Sequence, residues 1–200
     1  MLDDPLVIWL YPTIAVGWLG VHLAINVHVA RYGMATCTLT RFDAAIPFVP
    51  GAVGLYLSGF MLANVGYFLR YAPGDARWSA AGYGFQYLIS LLLYLALPTR
   101  APRLALDART GISARTLHLY QRMSKPFNAF PSMHVSLCVY SACWVWLVVS
   151  GSQLAIMTAV WCVAVIGSTL LTRQHTIIDV AGGFTLGVSA FVVVSTASRW

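Results

Sequence analysis

Charge is what this sequence has least of. Only 9% of its 200 residues are Asp, Glu, Lys or Arg, against about 25% in a soluble domain, which excludes an ordinary water-soluble fold. A hydrophobic fraction of 59% and a mean hydropathy of +0.74 put most of the chain in lipid instead. Cysteine is sparse too: Cys37, Cys138, Cys143 and Cys162 show no paired spacing and read as small apolar core residues. No Walker-type glycine loop occurs, so a nucleotide is not the obvious phosphoryl donor. No His-Glu-x-x-His helix occurs either, and no cofactor or nucleic-acid partner is expected.

What is there is a series of charge-free runs. Asp, Glu, Lys and Arg are missing between Asp4 and Arg31, Asp43 and Arg70, Arg77 and Arg100, Lys125 and Arg173, and Asp179 and Arg199. A spanning helix needs about 20 apolar residues, so four of these runs hold one helix each. The run after Lys125 is long enough for two, divided by the turn Ser150-Gly-Ser-Gln153. The expected fold is an all-α membrane protein, six transmembrane helices in one compact bundle over residues 1–200. Their approximate bounds are 6–30, 45–70, 80–97, 131–149, 154–171 and 176–197. Pro5 suits a first helical turn, and the first span is read as a retained helix rather than a cleaved signal. Trp9, Tyr11 and Trp18 suit an interfacial belt.

Polar residues inside these spans stand out. His22, Asn26 and His28 lie in the first, with His22 and Asn26 on one face; interhelical hydrogen bonding is the expected role, with substrate contact the alternative. Gly51, Gly54, Ser58 and Gly59 in the second span, and Gly183 with Gly187 in the last, suit close helix packing.

The long polar segment is the loop 99–130. It carries Arg100, Arg103, Arg109, Arg115, Arg122 and Lys125 against a single acid, Asp107. Such a loop attracts anionic lipid heads or sets orientation, or binds phosphate. It feeds directly into Asn128-Ala-Phe-Pro-Ser-Met-His134, and about 40 residues of helix, roughly 60 Å there and back across a core of about 30 Å, return the chain to His175. His175 and Asp179 are four residues apart, a spacing that puts both on one face if the segment is helical. The active site is therefore expected at one membrane face, from His134, His175 and Asp179. A histidine oriented by a carboxylate can attack phosphorus while a second protonates the leaving oxygen, and cations neutralise the charge on the equatorial oxygens. Free N–H groups at Pro131-Ser132, opening the fourth span, add an anion site. Metal ligation by His134, His175 and Asp179 is the chemical rival, disfavoured by the crowd of arginines.

These residues carry a resemblance. Pro131-Ser-Met-His134 resembles the Pro-Ser-Gly-His motif of the type 2 phosphatidic acid phosphatase superfamily. Ser168-Thr169, five residues, His175, three residues and Asp179 resemble its Ser-Arg-x5-His-x3-Asp motif. The branch most similar contains the inositol phosphorylceramide synthases and their bacterial relatives. The resemblance implies six helices, with His175 as nucleophile, Asp179 as its orienting partner and His134 as general acid. Two features depart from the family pattern: Thr169 replaces the motif arginine, and the upstream Lys-x6-Arg-Pro motif has no clean copy. Pro98-Thr-Arg-Ala-Pro-Arg103 resembles the segment after the third helix in the synthase-like branch, which makes Arg103 and then Arg100 phosphate-binding candidates; Ser132, at the start of the fourth span, and Arg173, two residues before His175, are the other two.

The expected activity is metal-independent hydrolysis of a membrane-lipid phosphate. Head-group transfer to an alcohol is the close alternative, and a non-catalytic transport or assembly protein is the other class. The substrate lies in the bilayer, so a multi-pass membrane location is expected, the cell membrane in a bacterium. The side stays open: Arg31, Arg41, Arg100, Arg103, Arg109, Arg115, Arg122, Lys125 and Arg173 fall on the site face, against Arg70, Arg77 and Arg199. That count makes the site cytoplasmic, whereas the resemblance places it outside. Neither the lipid nor the oligomeric state is fixed by the sequence.

Overall fold

A computed structural model describes residues 5–32, 36, 39–68, 73–106 and 111–198. Cys37, Arg70, Asp107, Arg109 and Arg199 lie outside the described residues. Among these described residues eight α-helices follow in order: α1 (Pro5–Tyr32), α2 (Arg41–Ala45), α3 (Val53–Phe68), α4 (Pro73–Ala96), α5 (Ile112–Met123), α6 (Met133–Val148), α7 (Gln153–Leu171) and α8 (Ile177–Ala197). Among the described residues the only β geometry is two isolated bridges, Thr36 with Thr99 and Arg100 with Phe127.

Four helices contain stretches long and apolar enough to cross a membrane: Pro12–Arg31, Arg77–Ala96, Gln153–Leu171 and Ile177–Ala197. They are consistent with a multi-pass membrane protein. The outer face of α7 shows the solvent it fits, with Met157, Val160 and Val163 exposed at 67%, 64% and 70%; such a stripe of large apolar side chains is costly against water. Two further apolar helices, α3 and α6, are shorter, 16 residues each.

Three boundaries differ from the sequence reading, each for a local reason. The second apolar segment becomes helical at Val53 rather than near 45, because Pro47 and Pro50 interrupt it; a single 3-10 turn, Pro50–Ala52, leads in. The third begins at Pro73, which takes a first-turn position without losing an intrahelical hydrogen bond. The basic loop holds a helix of its own, α5, which buries Ala114 and Leu117 while Arg115 and Arg122 face out. The turn after α6 is as expected, with Gly151 at φ 77° and Ser152 capping α7 through its side chain.

α6 is the hub, packing against α3, α4, α7 and α8. Its contact with α8 is backbone-close. A Cβ on Gly183 would stand 2.3 Å from the Ser132 carbonyl oxygen, and one on Gly187 would stand 2.5 Å from that of Ser136. Only glycine allows this approach. Of the small residues of α3, Gly59 is packed this tightly, while Gly54 meets open space. Cys138, Cys143 and Cys162 are free thiols; Cys138 and Cys162 are buried in the core with Leu62, Val135 and Val165.

Candidate active site

His134 sits in the first turn of α6, behind the Ser132 N-cap, whose side chain accepts from Val135 N–H. Its Nε2 lies 2.6 Å from the Tyr56 carbonyl oxygen. A carbonyl only accepts, so Nε2 carries the hydrogen and Nδ1 is the nitrogen left for proton transfer. The ring is clamped, stacked on Tyr56 at 4.4 Å and edge-on to Phe60 at 4.7 Å. Gly59 makes room for it: a Cβ there would fall 2.3 Å from His134 Nε2.

His175 lies in the short link between α7 and α8. Thr169 closes this link by accepting at its carbonyl from Gln174 N–H at 3.1 Å and His175 N–H at 3.4 Å, and Arg173 takes a left-handed backbone, φ 55°. Thr176 then caps α8, and Asp179 completes a reciprocal capping box with it. Asp179 is fully buried. Its Oδ2 accepts from Thr176 N–H at 2.8 Å and lies 3.8 Å from His175 Nδ1. One carboxylate oxygen thus starts the helix and faces the imidazole, turning His175 Nε2 away from it. The Asp179 carbonyl also accepts from Ser132 N–H at 3.0 Å, tying the start of α8 to the start of α6 and so the two histidine-bearing segments together.

A strap from the segment 40–49 holds the His175 link from outside. Asp43 Oδ1 accepts from Ile177 N–H at 2.7 Å, and Val49 N–H donates to the Leu171 carbonyl at 2.8 Å. The Arg173 guanidinium donates to the carbonyls of Asp43 and Ile46. Asp43 is itself the third residue of a capping box on Thr40. Burial alone would raise its pKa, but the hydrogen bonds from Thr40 and Ile177 and the charge of Arg173 outweigh that and hold it below the ordinary 3.8. A depressed folded-state pKa means that the stabilisation is present above the unfolded value and lost as pH falls through the folded one. Thermal unfolding followed against pH is therefore expected to weaken on the acid side of 3.8, and Asp43→Ala to lose about 0.5–2 kcal/mol near neutrality, the cost of a lost N-cap, and to flatten that acid limb.

His134 and His175 line one cavity of about 510 Å³ set among α1, α3, α4, α6 and the loop before α6. Of the four phosphate-binding candidates, Arg103 alone borders it. Its guanidinium donates to the carbonyls of Gln121, Ser124 and Lys125, while Nε is buried without a partner among the described residues. Burial pulls the Arg103 pKa below its ordinary value, with Tyr120 and Tyr56 acting in the opposite direction. Arg100 is exposed and lines a neighbouring groove with Arg103. Ser132 is spent as a helix cap, and Arg173 as the strap's anchor. Thr169, standing where the family motif has arginine, is fully buried with its hydroxyl on the Ile166 carbonyl. Among the described residues no three His, Cys, Asp or Glu side chains group closely enough to share a metal ion.

The sequence reading missed Asp43 and Tyr56 as site residues, and it counted Lys125 in the basic loop without choosing it as a phosphate-binding candidate. Lys125 also borders the cavity. Thr40-x-x-Asp43 is a capping-box pattern and could have been noticed; a backbone carbonyl such as that of Tyr56 leaves no signature at all.

Residues 55–193 match the family model described as the PAP2 superfamily, a stretch that holds His134, His175, Asp179 and Arg103. Comparisons with curated proteins and with solved structures give no match. With most of its length matched, and both histidine motifs within the match, the chain belongs to the PAP2 superfamily, which points to a phosphatase or phosphotransferase.

Proposed function

We propose that this chain is an integral-membrane lipid phosphatase, hydrolysing a phosphate ester of a membrane lipid through a phosphohistidine on His175 without a metal. The observation that carries this reading is the meeting of His134 and His175 on a single cavity that also reaches Arg103. With Asp179 facing Nδ1, Nε2 of His175 attacks phosphorus. A catalytic contact often closes only when substrate binds, and the 3.8 Å between Nδ1 and Asp179 has that room to close. His134, fixed through Nε2, gives the proton on Nδ1 to the departing oxygen and later takes one from water as the P–N bond breaks. The positive charges of Arg103 and Lys125, both bordering the cavity, neutralise the phosphoryl oxygens. Leu19, Leu23, Phe60 and Leu137 on the same cavity suit a lipid chain.

In this reading α3 and α6 cross the membrane too, giving six spans. Each reaches only about 24 Å at 1.5 Å per residue, but α6 is wrapped by its neighbours, so lipid need not cover its ends. The site then lies at the face that carries the basic loop.

Head-group transfer is the second reading, in the manner of the inositol phosphorylceramide synthase-like branch. Thr169 favours it: with no cation there, the site has less positive charge for a phosphate monoester and suits a diester better.

Phosphate release by purified protein in detergent, across a panel of lipid phosphates, separates these readings. Release that survives EDTA and falls with vanadate supports hydrolysis by histidine. A new phospholipid on adding an alcohol, with no free phosphate, supports transfer. Loss of activity in EDTA, restored by divalent metal, would sink the histidine mechanism. In the same assay Gly59→Ala, which drives a methyl into His134 and Val165, is expected to lower turnover about 10²-fold, the cost of misplacing a catalytic group by about an ångström. Thermal unfolding should show a loss of about 1–3 kcal/mol from overpacking.

A further inference from the structure

The short helix α5 has two unlike sides. One packs against α3 and the 3-10 turn that precedes it, burying Ala114 and Leu117. The other carries Ile112, Arg115, Leu119, Arg122 and Met123, which follow one another on a single face of the helix and are all exposed. Ile112, Leu119 and Met123 stand out at 83%, 58% and 75%, a large apolar surface to leave in water. The arginines interleaved with them exclude the hydrocarbon core, where a charge is costly and where the outer face of α7 offers apolar side chains such as Met157, Val160 and Val163. With 12 residues α5 is also only about 18 Å long, too short to span. What fits such a face is the boundary between the acyl chains and the lipid head groups.

The charge around α5 says which head groups. Lys125 just beyond its end and Arg100, which shares a groove with Gln121, are exposed as well, and the described residues between 99 and 130 include no Asp or Glu. The matching surface is therefore anionic. The inner side of the same helix leads to the candidate site. Tyr120 shares a hydrogen bond of 2.7 Å with Tyr56, ring to ring at 5.2 Å, and Tyr56 is the residue that stacks on His134 and accepts from its Nε2. Arg103 is held by the carbonyls of Gln121, Ser124 and Lys125, at and just past the C-terminal end of α5. Both the general acid and the arginine of the cavity thus depend on where α5 sits.

We propose that the outer face of α5 docks on the anionic lipid surface of the surrounding bilayer, and that docking steadies His134 and Arg103 through Tyr120 and the carbonyls at the end of the helix. The docking stands on the surface of α5 alone; its effect on turnover rests on the phosphohistidine reading and adds regulation to it. A bilayer supplies apolar depth and negative charge side by side, which is the alternation that Ile112, Leu119 and Met123 make with Arg115 and Arg122. In a neutral membrane the arginines gain nothing from the surface, α5 is held less firmly, and the contacts from Tyr120 and Arg103 loosen with it.

The test places the full chain in vesicles of phosphatidylcholine, with and without sulfatide, an anionic lipid that has no phosphorus and so cannot act as a phosphoryl donor. Hydrogen exchange of the α5 amides reads docking, and turnover at saturating substrate reads its consequence. Sulfatide is expected to slow exchange in α5 and to raise turnover about fivefold or more, the lower end of ordinary coupling between sites, and salt at about 1 M to cancel both by screening. Arg115→Gln and Arg122→Gln should each remove about fivefold of the slowing, the worth of one basic residue at an anionic surface, while turnover in phosphatidylcholine alone stays as in the wild type. Tyr120→Phe should keep the slowing and lose the turnover response. Exchange in α5 that is the same in both vesicles, or slowing that survives both arginine substitutions, would overturn the docking. Slowing that follows protein concentration instead of sulfatide would assign the face to a second copy and overturn it too. Slowing without a turnover response in the wild type would overturn the coupling. Failure of the phosphohistidine reading looks different: His175→Ala would then keep its activity, with the slowing of α5 unchanged, whereas failure of the docking leaves dependence on His175 intact.

Discussion

His175→Ala should abolish phosphoryl transfer, lowering turnover by about 10⁴-fold or more, because no other group can take over a covalent step. The imidazole contributes little to folding. It is partly exposed, its Nδ1 makes no hydrogen bond among the described residues, and the link around it is held through backbone groups of Thr169 and through the Asp43 strap. Thermal unfolding of the variant should therefore match that of the wild type. His134→Ala should behave differently. Its proton matters in proportion to the basicity of the leaving oxygen, so loss of about 10²–10⁴-fold is expected on a lipid alkyl ester and far less on an aryl ester whose oxygen leaves unaided. Equal losses on both substrates would remove His134 from the general-acid role.

Asp179→Asn is expected to cost about 10²–10⁴-fold in turnover while preserving the helix start. The amide oxygen can still accept from Thr176 N–H, which keeps the cap, but it cannot stabilise a cationic imidazole or enforce the Nδ1–H tautomer. Asp179→Ala removes both functions and should lose a further 0.5–2 kcal/mol or so of stability, as for other N-cap truncations. The two variants should have similar residual turnover and different unfolding temperatures. If Asp179→Asn retained wild-type turnover, the carboxylate would be a capping residue alone.

The long helices were legible because lipid imposes a strong pattern: runs free of charge can be placed from the sequence to within a few residues, as α7 and α8 show. α5 was hidden by the same signal, because its arginines make the loop read as uniformly polar even though Ala114 and Leu117 form a buried side. The start of α3 slipped because Pro47 and Pro50 interrupt an apolar run that composition alone cannot divide.

In the candidate site, His134, His175 and Asp179 were singled out by motif and spacing, and the two histidines border one cavity; the helix face expected to join His175 and Asp179 is absent, because His175 lies in the link before the Thr176 cap and α8 begins only at Ile177. The arginines could not be sorted that way. Arg173 stands two residues before His175, yet its left-handed backbone accompanies a side chain spent on the carbonyls of Asp43 and Ile46, while Arg103, far away in sequence, reaches the cavity. Asn26 and His22 were expected to bond between helices. Instead the Asn26 amide donates within its own helix, and its oxygen is buried without a hydrogen-bond partner among the described residues, a distinction that depends on three-dimensional neighbours.

Trapping the covalent intermediate tests the central claim most directly. The purified protein would be mixed with a lipid labelled in its phosphate, quenched within milliseconds to seconds, and digested to locate the label. Label stable in base, labile in acid and confined to the peptide carrying His175 is the predicted result, with none on His175→Ala. Turnover without a phosphoprotein at any quench time, or label that persists on the His175→Ala chain, would contradict a phosphohistidine mechanism at this site.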